Sequence, residues 1–207
     1  MRRIYIYFLI FTGFSLAILP SGRAQGIPER KAAVPAAAAP SSGFRAEFLE
    51  EIAYYEQRYT RLAEAMPAEK YTWRPAEGVR SVGEVFTHIM VANYGIARAF
   101  GTAPPAGFDP KAIAALSTDK TKVLQALKDS FAHFRGAIIA LNEGDADKPQ
   151  KMFNRSTTLR GSFIAITGHF GEHLGQSIAY ARVNGIVPPW TEEFQQQQQK
   201  PADKPKP

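Results

Sequence analysis

Apolar residues recur at alternating three- and four-residue steps in four stretches of the chain. The first, about residues 44–66, carries Phe44, Phe48, Ile52, Tyr55, Tyr59 and Leu62. Such steps put every member on one face of an α-helix, and Pro67 closes it. The second opens with Ser81-Val82-Gly83-Glu84. There the Ser81 side chain can cap the first turn while Glu84 reaches back to the Ser81 amide. Its stripe is Val82, Val85, Ile89, Ala92 and Ile96, and Gly101 ends it. The third starts near Thr118 or Asp119 and carries Val123, Leu127, Phe131, Phe134, Ile138 and Leu141. The fourth runs from about Thr158 to Asn184 with Leu159, Phe163, Ile166, Phe170, Leu174 and Ile178 in one stripe. Asn184-Gly185 supplies a left-handed stop before Pro188-Pro189. No segment alternates convincingly with period two, so no strand is expected.

Four amphipathic helices of this length predict an all-α fold, a four-helix bundle. The second and third helices are joined by a Gly/Pro-rich stretch from Gly101 to about Ser117. That crossover is long enough to run the length of the bundle, which would set helices 2 and 3 parallel. The folded domain is therefore expected over residues 44–190. Residues 25–43 read as an Ala/Pro-rich linker. Residues 191–207, with their run from Gln195 to Gln199 and a Lys/Pro end, lack apolar side chains to bury and read as a disordered tail.

The start of the chain changes the picture of where the domain works. Arg2 and Arg3 precede an uncharged apolar run from Ile4 to Leu19, and Gly22-Arg23-Ala24 is a small-x-small exit. This is the order of a secretory signal peptide, residues 1–24, cleaved after Ala24. The run is short for a membrane span, so the product is expected to be exported, periplasmic or secreted, with no stable span after cleavage. The chain has no Cys. That excludes a disulfide framework, a Cys-ligated zinc, a thiol nucleophile and a lipid-anchoring cysteine. Of the formal charge of +6, Arg2, Arg3 and Arg23 belong to the signal, which leaves 22 basic against 19 acidic residues, or +3. No basic cluster interleaved with aromatics points to nucleic acid.

The chain has four His, and two of them, His169 and His173, stand at i and i+4 in the fourth helix. That spacing lets two imidazoles on one helical face reach a single metal ion. His88 falls three residues after Val85 and four before Ala92, so it also points inward. Three neutral imidazoles with an open position suit a catalytic-type centre rather than a closed structural one. Gln176, one turn beyond His173, is a candidate to orient a ligand or to contact a substrate. It lies in a polar row, His169, His173, Gln176 and Tyr180, beside the apolar stripe. Gly168, Gly171 and Gly175 weaken this helix by about 1 kcal/mol each relative to alanine, which suggests close approach by a neighbour or ligand. His133 lies off its stripe and is expected at the solvated surface. The capping role explains Glu84, and Glu172 is expected to face solvent.

The sequence resembles the DinB-like (DinB/YfiT) superfamily over nearly all of residues 44–190. The likeness rests on Met66-Pro67 through Trp73-Arg74-Pro75, on Ser81, Glu84 and His88, and on His169-x-x-x-His173-x-x-Gln176-x-x-x-Tyr180 ending in Arg182-x-Asn184-Gly185-x-x-Pro188-Pro189. The resemblance implies a four-helix bundle with a long crossover between helices 2 and 3. It implies one divalent transition metal, zinc or nickel, on His88, His169 and His173. Members with known activity are metal-dependent transferases or isomerases that use low-molecular-weight thiols, and relatives often form homodimers. An exported location, where such thiols are scarce, sits uneasily with the thiol chemistry but leaves the metal untouched.

Three functions fit these residues. One is a metal-dependent hydrolase or thiol-dependent transferase or isomerase acting on a small molecule. The second is a non-catalytic bundle that binds metal or a small ligand. The third is a helical interaction module with incidental histidines.

Overall fold

The computed structural model describes residues 38–199. The signal segment expected at 1–24, most of the 25–43 linker and residues 200–207 of the tail lie outside them. Four long helices carry the core: α1 (Phe44–Ala65), α2 (Val82–Ala99), α4 (Lys120–Ile139) and α5 (Leu159–Val183). A short helix, α3 (Pro110–Ala115), lies in the crossover, and α6 (Pro189–Gln199) follows the bundle. None of the described helices is long and apolar enough to cross a membrane.

The stripes read from the sequence become the core. Ile52, Tyr59, Leu62, Val85, Ile89, Leu127, Phe131, Phe134, Ile166 and Phe170 are fully enclosed. Phe170 is the hub, with aromatic contacts to Tyr55, Tyr59, Phe131 and Phe134. The Tyr59 hydroxyl donates to the Phe170 carbonyl at 2.7 Å, so the buried phenol is not left unpaired.

Side-chain pairs fix the helix directions. Asn93 Nδ2 donates to Ser130 Oγ (3.0 Å), Phe100 meets Phe134, and Gly83 lies against Ser117, so α2 and α4 run parallel. Phe48 meets Phe134 while the Lys120 ammonium donates to the Glu64 and Met66 carbonyls, so α1 and α4 are antiparallel. Phe44 meets Phe163 and Tyr55 meets Phe170, which makes α1 and α5 parallel. The crossover therefore does what its length implied. It is not plain coil, though. Asp109 accepts from the Lys111 amide (2.9 Å) and Pro110 supplies the first-turn φ, which starts α3.

The end caps are specific. Ser81 and Glu84 form the reciprocal capping box, and Arg74 pairs with Glu84. Gly83 faces the Ser117 carbonyl oxygen so closely that a Cβ would overlap it. Lys120 covers the free carbonyls at the end of α1, and Arg45, paired with Glu143 at 2.8 Å, reaches the Ile139 and Leu141 carbonyls at the end of α4. Cations at these ends also complement the helix dipoles.

Two expectations are corrected. The chain does contain strands: β1 (Pro149–Met152) and β2 (Arg155–Thr158) pair antiparallel, with Met152 opposite Arg155, between α4 and α5. Their alternation was invisible because Met152 is the only buried residue of either strand. The second correction concerns the tail. Residues 191–199, expected to be unstructured, instead belong to α6. Trp190 lies under the Arg58 guanidinium, 4.3 Å from its carbon, and Glu193 pairs with Arg61. These contacts hold the start of α6 against α1 without any buried side chain.

Candidate metal centre

His88 stands on α2, and His169 and His173 stand one turn apart on α5, at the seam where these two helices face each other. Trp73 against Tyr180 and Phe100 against Phe163 mark the two ends of that antiparallel seam. The three histidines, far apart in sequence, each offer a ring nitrogen, and these atoms lie within 4.8 Å of one another. The Nε2 atoms of His88 and His169 are 3.1 Å apart. Two neutral imidazole nitrogens at that distance either share one proton or flank a cation. Nitrogens each about 2.0–2.1 Å from one zinc ion in a tetrahedral arrangement are about 3.4 Å apart, close to the spacing found.

Protonation favours ligation. Burial pushes His88 down to about 4, helped by the nearby Arg80 guanidinium and the other two histidines. Burial likewise lowers His169 to about 4, with His173 adding and Glu172 opposing. Both rings are therefore neutral at physiological pH, as metal ligation requires.

Gln176 fixes the third ring. Its Nε2 donates to the Tyr180 hydroxyl at 2.8 Å, which turns its Oε1 toward His173 Nδ1 at 3.0 Å. An amide oxygen only accepts, so Nδ1 carries a proton, and Nε2 is the ring nitrogen this contact leaves for a metal. Tyr180 is itself braced by Trp73, ring edge to face at 5.4 Å. The polar row of the sequence is thus a relay of orientation running Trp73, Tyr180, Gln176, His173. His169 has no such support: its Nδ1 is buried without a partner. Its ring is held by stacking on Phe153, with centroids 5.1 Å apart.

Other expectations fare differently. Glu172 is exposed, and Glu84 is engaged by Ser81 and Arg74. His133 is not a solvated surface residue. It is half-buried against Tyr94, at 5.0 Å, with Nε2 unpartnered. The three glycines around the histidine pair do not serve close packing. A Cβ at Gly168 or Gly175 would meet nothing within 4 Å, and of the three Gly171 alone has a neighbour, the Tyr55 hydroxyl at 3.4 Å. The sequence reading missed Arg80 and Phe153, which adjoin the cluster, and Arg155, which lines the same cleft as His169. Phe153-Asn154 could have been read as a turn between two short polar runs.

A helical bundle with a three-histidine cluster at the seam of two antiparallel helices defines the class of protein. The sequence profile of the DinB superfamily matches residues 52–177, and the chain belongs to that superfamily. Among solved structures it is similar to a DinB-like protein from Bacillus cereus, with 18% identity, a TM-score of 0.59, and coverage of 69% of this chain and 93% of that one. A DinB-like protein from Bacillus subtilis is 22% identical, with a TM-score of 0.46 over 68% of this chain and 93% of that one. No curated protein matches the chain.

Proposed function

We propose that the protein binds one divalent transition metal, zinc or nickel, through His88, His169 and His173, and acts as a metal-dependent hydrolase or thiol-dependent transferase or isomerase on a small molecule. The observation that carries this reading is the convergence of three ring nitrogens within 4.8 Å, two of them on rings kept neutral by burial. Bound there, a metal would lower the pKa of a fourth ligand, water or thiol, and make it a nucleophile near neutral pH. Gln176 would hold His173 in the ligating tautomer, and the absence of any Cys in the chain means that a thiol would come from a second small molecule.

One observation favours the non-catalytic alternative, a bundle that captures metal or a small ligand. The cluster itself contains no carboxylate, and the nearest acids are a capped Glu84 and an exposed Glu172, so no general base is in place among the described residues. The proposal also keeps the protein outside the cytoplasm, on the strength of residues 1–24. Mass spectrometry of the native N-terminus, expected at Gln25, tests that part.

The test of the metal is elemental analysis of residues 25–207 purified without a His tag, beside His169→Ala/His173→Ala. About one equivalent of transition metal in the parent, lost in the double variant, is the expected result. No uptake after incubation with zinc or nickel would overturn the metal reading.

A further inference from the structure

The β-hairpin does not lie idle beside the bundle. Its strands and α5 enclose a cleft of about 710 Å³ that ends on His169, a volume in the ~300–1,000 Å³ range of small-molecule sites. The floor is α5, where Ala165 and Gly168 leave the space open. The roof is the hairpin.

Three features of this cleft are unexplained by folding. First, it is lined by two large apolar side chains left in water, Ile164 at 78% exposure and Phe153 at 42%. Two such residues facing one concavity mark a surface meant to be covered. Second, Phe153 and Asn154 form the two-residue turn with φ of 47° and 62°. Asn and Gly suit this geometry, whereas an aromatic residue there is strained by about 1–3 kcal/mol. The strain puts the Phe153 ring over His169, at the point where the cleft meets the cluster. Third, Arg155 lies beside the turn, opposite Met152, and Glu172 lies nearly one turn beyond His169. Neither has an ion-pair partner among the described residues. Arg155 and Glu172 therefore share the cleft with His169, while Ile164 and Ala165 give it an apolar stretch along the helix.

We propose that this cleft binds a small amphipathic monocarboxylate, its apolar body along Ile164 and Ala165 beneath Phe153 and its carboxylate directed to Arg155 and the histidine cluster. Arg155 supplies a forked donor for the carboxylate. Glu172 on the same end repels a second negative charge, which selects a monoanion. The assignment names a substrate class for the metal site proposed above and rests on that site only for the carboxylate's approach to the histidines.

The probe is 3-phenylpropanoate, with 3-phenylpropan-1-ol as its neutral counterpart. Binding is followed by calorimetry and backbone amide shifts on zinc-loaded and metal-free protein of known metal content. Saturable binding with shifts centred on Phe153, Ile164 and Gly168 is expected. Gly168→Leu favours the helix and fills the cleft, so it should abolish binding while metal content and helicity stay at parent levels. Gly175→Leu, the same change in open space away from the cleft, should bind as the parent does. Arg155→Gln should weaken the carboxylate about tenfold and the alcohol less than about twofold. Absence of saturable binding in both metal states, binding that survives Gly168→Leu, or equal losses of acid and alcohol in Arg155→Gln would overturn the proposal. A parent that takes up no metal yet binds the probe and loses it in Gly168→Leu would sink the metal reading alone.

Discussion

At the scale of single residues, the cluster depends on groups that do not touch its centre. Gln176 is a positioning residue: it spends one amide end on Tyr180 and the other on His173. Gln176→Leu keeps the volume but removes the acceptor, so His173 is free to take the wrong tautomer. Metal affinity measured by chelator competition should fall about 10–100-fold, and nitrogen NMR of the imidazoles should show mixed His173 tautomers in the metal-free protein. Gln176→Glu, which still accepts from Nδ1–H, should restore most of the affinity. Unchanged affinity in Gln176→Leu would reduce the residue to packing. His169 and His173 are legible in sequence because four-residue spacing places them on one face. That His88 completes the set was legible only as an inward-facing position and through the family resemblance. His133 shows the limit of such reading, since a position off the apolar stripe is still half-buried when Tyr94 of a neighbouring helix covers it.

At the scale of elements, caps and turns were partly readable. The Ser81/Glu84 box follows from local chemistry, because both partners lie within one turn. Gly83 inside it does not. Helix propensity alone predicts that Gly83→Ala stabilises α2 by up to about 1 kcal/mol. The Ser117 carbonyl reverses the sign, since a methyl group there must displace backbone. Overpacking of this kind costs about 1–3 kcal/mol, so chemical denaturation should give a lower midpoint for Gly83→Ala than for the parent. A higher midpoint would mean the crossover yields freely. The hairpin and α6 escaped the sequence reading for related reasons. The hairpin buries almost nothing of its own, and α6 is held by Trp190 and Glu193 on α1 residues rather than by an apolar stripe. Periodicity reports burial, and these elements have little.

For the whole molecule, the decisive fact is the arrangement of helix directions. Parallel α2 and α4, with α5 antiparallel to α2, bring residue 88 to residues 169 and 173. The aromatic hub holds that arrangement. Phe170→Ala should cost about 3–5 kcal/mol of unfolding free energy, since Phe170 is fully enclosed and meets rings from α1 and α4. Phe170 also adjoins His169, so the histidine geometry should loosen with it. Metal affinity measured on the folded fraction should fall along with the denaturation midpoint. A loss of stability with unchanged affinity would show that α5 and α2 hold the site without the core.

The sequence by itself determined four helices, their buried faces, the capping box and the helix that carries two of the three histidines. Each of these is set by residues within a few positions of one another. Tertiary structure alone decided the rest: the 3.1 Å meeting of His88 with His169, the neutrality of both rings, and the cleft under the hairpin. Those depend on which helix lies beside which, and on how much water the neighbours exclude. Neither is a property of any one segment.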